Sequence, residues 1–206
     1  MSNKIYIVRH GQDEDNANGV LNGHRDMPLT KIGQMQAEEI AQKIEGSGLT
    51  FDVILASPLK RAFSTAQAIA KKQNMEVEVE PLLIEREFGV MTGKPVSSII
   101  EMCRPHVLET DHINYFLCPD GAETFQDLME RGGEMLEKLE GKYKNKRILL
   151  VTHGDMGKMI YTTYYDKKWE DVLKDFHFGN SEMLLLSDDS NDKHHVFKIK
   201  QYHKSK

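Results

Sequence analysis

Short apolar runs alternate along the chain with longer stretches in which apolar residues recur every three or four positions. Ile5 to Val8 is a β-branched run closed by Arg9-His10-Gly11, and it reads as a buried strand. Asp52 to Ser57 (DVILAS), broken by Pro58, reads as a second, and Arg147 to Thr152 (RILLVT) as a third. Thr30 to Ile44 sets Ile32, Met35, Ala37, Ile40, Ala41 and Ile44 at helical spacing, with Thr30 as N-cap. Helices are also predicted from about Lys60 to Lys71, over Phe125 to Leu139, and from about Met156 to Tyr165. In the second of these, Leu128, Met135, Leu136 and Leu139 form the apolar face. Glu76 to Glu80 alternates polar and apolar, as an edge strand does. Met183 to Ser187 and Val196 to Tyr202 read as two closing strands joined by a turn at Asp188 to Lys193. Met35, Met129, Met135, Met156 and Met159 fall at helical spacing and are expected to fill the core.

Strands alternating with amphipathic helices predict an α/β fold, a three-layer α/β/α sandwich around a mostly parallel sheet. With 206 residues and no linker or repeat, residues 1–206 are expected to form a single domain. Residues 94–118 are irregular and are read as a small cap or insertion, a short helix and a flexible stretch. Pro119-Asp120-Gly121 then marks a turn. In such sheets ligands bind beyond the carboxyl ends of the strands.

Charge narrows the function. The net charge is -5, and no Lys/Arg-rich run stands out. Nucleic-acid binding is therefore disfavoured, whereas a small anion needs only a few local cations. Two cysteines, Cys103 and Cys118, make no disulfide framework and no zinc motif. No secretory leader and no membrane-length apolar stretch is read, so a cytoplasmic location is expected. His194, His195 and His203 lack an acidic partner at ligand spacing and read as surface or strand residues.

The candidate chemistry follows the strands. The first is followed by His10-Gly11, the second by Ser57-Pro58-Leu59-Lys60-Arg61, and the strand at 147–152 by His153-Gly154. Arg9, His10, Arg61 and His153 are thus expected at one end of one sheet. Arginine presents a planar fork of donors that matches phosphate oxygens. Gly11 and Gly154 permit close backbone approach, and helix N-termini after these loops add oriented N–H groups.

With Asn16, Gly23, Leu29-Thr30, Gly33, Gln36-Ala37, Thr65-Ala66, Leu83 to Gly89, Gly93, Gly121 to Phe125 and Val151 to Gly154 added in this order, the chain resembles the histidine phosphatase superfamily. The resemblance covers roughly residues 4–187 and implies a phosphoglycerate mutase-like fold. It implies a metal-independent phosphomonoesterase, of the histidine acid phosphatase type, that uses no cofactor. His10 would become phosphohistidine. Arg9, Arg61 and His153 would complete the phosphate pocket, and Asn16 would add a donor. Glu85 would protonate the leaving group, with Glu87 as the competing candidate. Gly23 and Gly154 would lie at the substrate, and Arg86 would meet its second anionic group. A loose phosphoryl transition state asks for positioning and positive charge, which these residue types supply. A neutral imidazole is a competent nucleophile, and a glutamic acid can serve as donor only if its proton affinity is raised.

The chain departs from the family pattern at Asp13, where a small hydroxyl residue is common, at Lys158, where arginine is common, and at Glu87-Phe88. An acid at 13 either points outward or weakens the pocket. The expected substrate is a small phosphorylated metabolite, handled without nucleic acid or membrane, by a monomer or homodimer. Two other readings stay open. One is a 2,3-bisphosphoglycerate-dependent mutase, disfavoured by the short 93–119 segment and the missing basic C-terminal extension. The other is a catalytically weak phosphate-binding module.

Overall fold

The computed structural model describes residues 3–111, 113–175, 177–187 and 195–201, with only the backbone of 195 and 196. The turn expected at Asp188 to Lys193, and His194 and His203, lie outside the described residues.

The three apolar runs become neighbouring strands. β1 (Lys4–Arg9) pairs in parallel with β6 (Arg147–Thr152), which pairs in parallel with β2 (Val53–Ala56). β3 (Glu78–Val79) extends the parallel edge, as its alternating sequence predicts. β7 (Met183–Leu186) and β8 (His195–Phe197) add antiparallel strands on the other side of β1. The order is β3-β2-β6-β1-β7-β8.

Side chains on a strand alternate between faces, and the core splits accordingly. Ile5, Ile7, Ile148 and Leu150 join one apolar cluster with Leu128, Met135 and Leu139 of α5 (Phe125–Lys142) and Met156, Met159 and Ile160 of α6 (Gly154–Tyr164). Tyr6, Val8, Leu149 and Val151 join the opposite cluster. It includes Ile40, Ala41 and Ile44 of α2 (Lys31–Ser47) and Ala62, Ala66 and Ile69 of α3 (Lys60–Gln73). Helices on both faces of a mostly parallel sheet make the expected three-layer sandwich.

Some expectations change. Met35 is 64% exposed and is not core filler. α2 buries Gly33, Gln36, Ala37, Ile40, Ala41 and Ile44, a face that position 35 lies outside of. Met129 is only partly buried, while Met135, Met156 and Met159 are fully buried. Two short helices went unpredicted, α1 (Glu14–Asn18) and α7 (Trp169–Asp175). The 94–118 segment carries α4 (Ile99–Cys103) and an antiparallel hairpin of β4 (Val107–Glu109) and β5 (Asn114–Phe116), which was also unforeseen. Ile99, Cys103 and Phe116 form a separate cluster with Phe88 and Met91. Among the described residues no helix is long and apolar enough to cross a membrane.

Candidate active site

The parallel register sets the site. Arg9 pairs with Thr152, and the His10 amide donates to the Thr152 carbonyl at 2.9 Å. The Ser57 amide donates to the Val151 carbonyl at 3.0 Å. The residues that follow β1, β2 and β6 therefore emerge side by side.

His10 is buried. Its Nδ1 lies 2.6 Å from the Gly11 carbonyl oxygen, which can only accept, so Nδ1 carries the proton. Nε2 is left with its lone pair and no hydrogen-bond partner among the described residues. Burial, then the charges of Arg61 and Arg9, hold the ring's proton affinity well below the ordinary histidine value, so His10 is neutral. Thr65 Oγ1 accepts from the Gly11 amide at 3.1 Å and ties the loop to α3.

His153 packs beside it, the ring centroids 5.0 Å apart. Arg61 Nε donates to His153 Nδ1 at 3.2 Å, which puts the ring proton on Nε2, 2.7 Å from Ser57 Oγ. Burial and Arg61 keep this ring neutral too. Arg61 has no exposed surface. Its Nη1 donates to the Arg25 carbonyl at 2.6 Å and its Nη2 to the Gly23 carbonyl at 2.8 Å. One N–H on each remains available. Gly23 thus holds Arg61 through its carbonyl. Its φ of +50° and the Phe88 ring, 3.1 Å from where a Cβ would sit, both favour glycine.

Asp13, the first departure from the family pattern, turns inward. It is fully buried, and its Oδ2 lies 3.2 Å from Arg61 Nε and 2.8 Å from Asn22 Nδ2. Its Oδ1 caps α1 by accepting from the Asn16 amide at 2.7 Å. Burial raises its proton affinity against the pull of Arg61.

This cluster adjoins a cavity of about 200 Å³ through the peptide pairs Arg9–His10 and His153–Gly154. Arg9, Asn16, Glu85, Arg86 and Gly154 line the cavity, whereas His10, Arg61 and His153 do not. Arg9 donates from Nη1 to the Phe178 carbonyl at 2.7 Å, but its buried Nε has no hydrogen-bond partner among the described residues. Such an orphan donor beside a cavity suits an anionic ligand.

Glu85 is buried at the N-terminus of α6. Its Oε1 accepts from the Arg86 amide at 2.9 Å and the Met156 amide at 3.1 Å. Burial raises its proton affinity, Asp155's charge adds to this, and the amide bonds and Arg61 oppose it. Glu87, the competing candidate, is a half-exposed partner of His24 at 2.8 Å and does not line the cavity. Arg86 is more committed than its sequence role implies. Its Nε donates to Asp155 Oδ2 at 3.0 Å, its Nη1 bonds to the carbonyls of Phe116 and Glu123, and three aromatic rings surround it.

The sequence reading missed Asn180, whose Nδ2 donates to the His10 carbonyl at 3.0 Å and reaches Asn16 Oδ1 at 3.3 Å. No motif marks it. Among the described residues no group of His, Cys, Asp and Glu is placed to hold a metal ion.

The model of the histidine phosphatase superfamily, branch 1, matches residues 5–197. The chain belongs to that superfamily. It is 32% identical over 162 residues to phosphoserine phosphatase 1 of Hydrogenobacter thermophilus, covering 77% of this chain and 74% of that protein. It is 31% identical over 157 residues to a 2,3-bisphosphoglycerate-dependent phosphoglycerate mutase of Rhizobium etli, covering 73% of this chain and 75% of the relative. Among solved structures it resembles a phosphoserine phosphatase of Entamoeba histolytica in complex with 3-phosphoglyceric acid. The TM-score there is 0.75 at 29% identity, over 89% of each chain.

Proposed function

We propose that this histidine phosphatase hydrolyses small phosphomonoesters through a phosphohistidine on His10. The observation that carries the reading is the His10 ring, its Nδ1 proton fixed on Gly11 at 2.6 Å and its Nε2 lone pair left unengaged. That lone pair attacks phosphorus, and the bond from phosphorus to the ester oxygen breaks. Glu85 gives its proton to the departing oxygen, because an alkoxide is a poor leaving group. Glu85, now ionised, takes a proton from water as the water oxygen attacks phosphohistidine. The P–N bond breaks, His10 is regenerated and inorganic phosphate leaves.

In this scheme Arg9 Nε, and the N–H groups of Arg61 not used on the Arg25 and Gly23 carbonyls, would meet the charge that builds on the phosphoryl oxygens. The scheme uses no metal ion.

A mutase reading keeps support from the relatives of that name, because phosphohistidine can return its phosphate to a bound isomer. Phosphate release from p-nitrophenyl phosphate, set against conversion of 3- to 2-phosphoglycerate, separates the two. Turnover by the parent chain removes the binding-module reading. His10→Ala should abolish release while circular dichroism shows an unchanged fold. Undiminished release by that variant would remove the mechanism.

A further inference from the structure

The cavity beside Glu85 has a second charged wall. Lys158, on α6 one turn after Asp155, lines it and is only 3% exposed. A buried ammonium ordinarily has a carboxylate partner. Here Nζ makes no ion pair among the described residues. Its hydrogen-bond partner is the Tyr115 hydroxyl on β5, at 2.6 Å, with the Tyr115 ring 4.9 Å away. Asp155 could have served as counter-ion, but its carboxylate is held by Arg86 at 3.0 Å. Arg86 and Asp155 cancel, and Lys158 keeps its charge unanswered.

The donor count sharpens this. An ammonium has three N–H donors and no acceptor, and one donor is spent on the Tyr115 oxygen. Because that oxygen accepts, the Tyr115 hydroxyl proton is free to be donated elsewhere. The pair therefore presents donors only, with net positive charge, to a cavity that also holds Glu85 and Arg9. The other walls are largely apolar or amide, among them Leu21, Val96, Ile99, Ile113, Asn22 and Asn114.

We infer that Lys158 and Tyr115 form a subsite for a carboxylate on the leaving portion of the substrate, which is then a small phosphomonoester with an acidic group a few atoms from its phosphate. The inference rests on the hydrolase reading above and reassigns to Lys158 the second-anion role that the family resemblance implies for Arg86. A cavity of about 200 Å³ and one uncompensated cation suit a carboxylate on a short carbon chain better than a large or multiply charged group.

Glycerol 3-phosphate and 3-phosphoglycerate differ only in a terminal hydroxymethyl or carboxylate, so they isolate the subsite. The parent chain should favour 3-phosphoglycerate about tenfold or more in kcat/KM for phosphate release, the usual scale of a charged hydrogen bond. Lys158→Met should bring the ratio near one, mainly through KM. Lys158→Arg should keep it, and Tyr115→Phe should lower it in part. Equal use of both esters by the parent, or an unchanged ratio in a folded Lys158→Met, overturns the subsite. If Lys158→Met does not fold, an unchanged ratio in Tyr115→Phe does so instead. Absence of phosphate release from every ester, p-nitrophenyl phosphate included, would count against the hydrolase reading instead.

Discussion

Asp13 and Arg61 form an ion pair, Oδ2 to Nε 3.2 Å, with neither side chain exposed. A carboxylate beside the arginine that is to hold phosphate competes with the ligand for the same charge. Asp13→Asn should therefore bind inorganic phosphate more tightly, with the inhibition constant lowered about tenfold, or roughly 1.4 kcal/mol. Breaking a buried pair also leaves Arg61 uncompensated, which costs about 3 kcal/mol of folding stability. Saturating phosphate should then raise the melting temperature of the variant more than that of the parent. An unaltered inhibition constant would show that Asp13 and phosphate do not compete.

The strand ends that carry Arg9, His10 and His153 were legible because apolar runs of four to six residues ending in polar residues are strong signals. Asp13 was not. It caps a helix of five residues, too short for periodicity, and whether its carboxylate faces Arg61 or solvent depends on Asn22 in another loop. The β4–β5 hairpin has three-residue strands, below the length at which alternation can be read. The commitment of Arg86 to Asp155 crosses 69 residues of sequence, so nothing local to Glu85-Arg86-Glu87 could reveal it.

Glu85 should show its role through the leaving group. Glu85→Gln keeps the volume but has no proton to give. Hydrolysis of alkyl phosphates should fall about 10²–10⁴-fold, and that of p-nitrophenyl phosphate far less. The parent's alkyl activity should decline on the alkaline side as Glu85 ionises, and the variant should lose that limb. Stability should move the other way. A carboxyl group whose proton affinity rises on folding contributes stability below its unfolded value, and that contribution is lost as pH rises through the raised value. At alkaline pH the neutral glutamine should therefore gain stability relative to the parent, as measured by thermal melts. Equal slowing of both substrates would mean that Glu85 is not the acid.

His153 gives a stability test with the opposite sign. Burial and Arg61 depress its proton affinity below the ordinary 6.5. Its stabilising contribution is present above 6.5 and is lost as pH falls toward the depressed folded value. Below 6.5 the unfolded chain takes up a proton that the folded ring refuses. The destabilisation caused by His153→Gln should therefore be largest near pH 8 and shrink by about 1.4 kcal/mol per pH unit below 6.5. Urea titrations of both proteins from pH 8 to 5 would measure it. A pH-independent difference would mean that the ring takes up its proton in the folded chain as readily as in the unfolded one.

The loop that carries His10 is seated on α2 through two glycines. A Cβ on Gly33 would lie 2.0 Å from the Gln12 carbonyl oxygen, and one on Gly11 would lie 2.4 Å from the Gly33 carbonyl oxygen. Both obstacles are backbone atoms, so no side-chain rotation relieves them. Gly33→Ala should push the 10–12 loop away from α2, costing about 2–3 kcal/mol. It should also lower kcat, because the His10 ring is oriented by the carbonyl of Gly11 in the same loop. Gly46, on the same helix with nothing within 4 Å of a Cβ, is the control. Gly46→Ala should be neutral or stabilising by up to about 1 kcal/mol, since alanine is the better helix former. If Gly33→Ala behaves like Gly46→Ala in both melting temperature and kcat, the close seating of the loop on α2 does not set the position of His10.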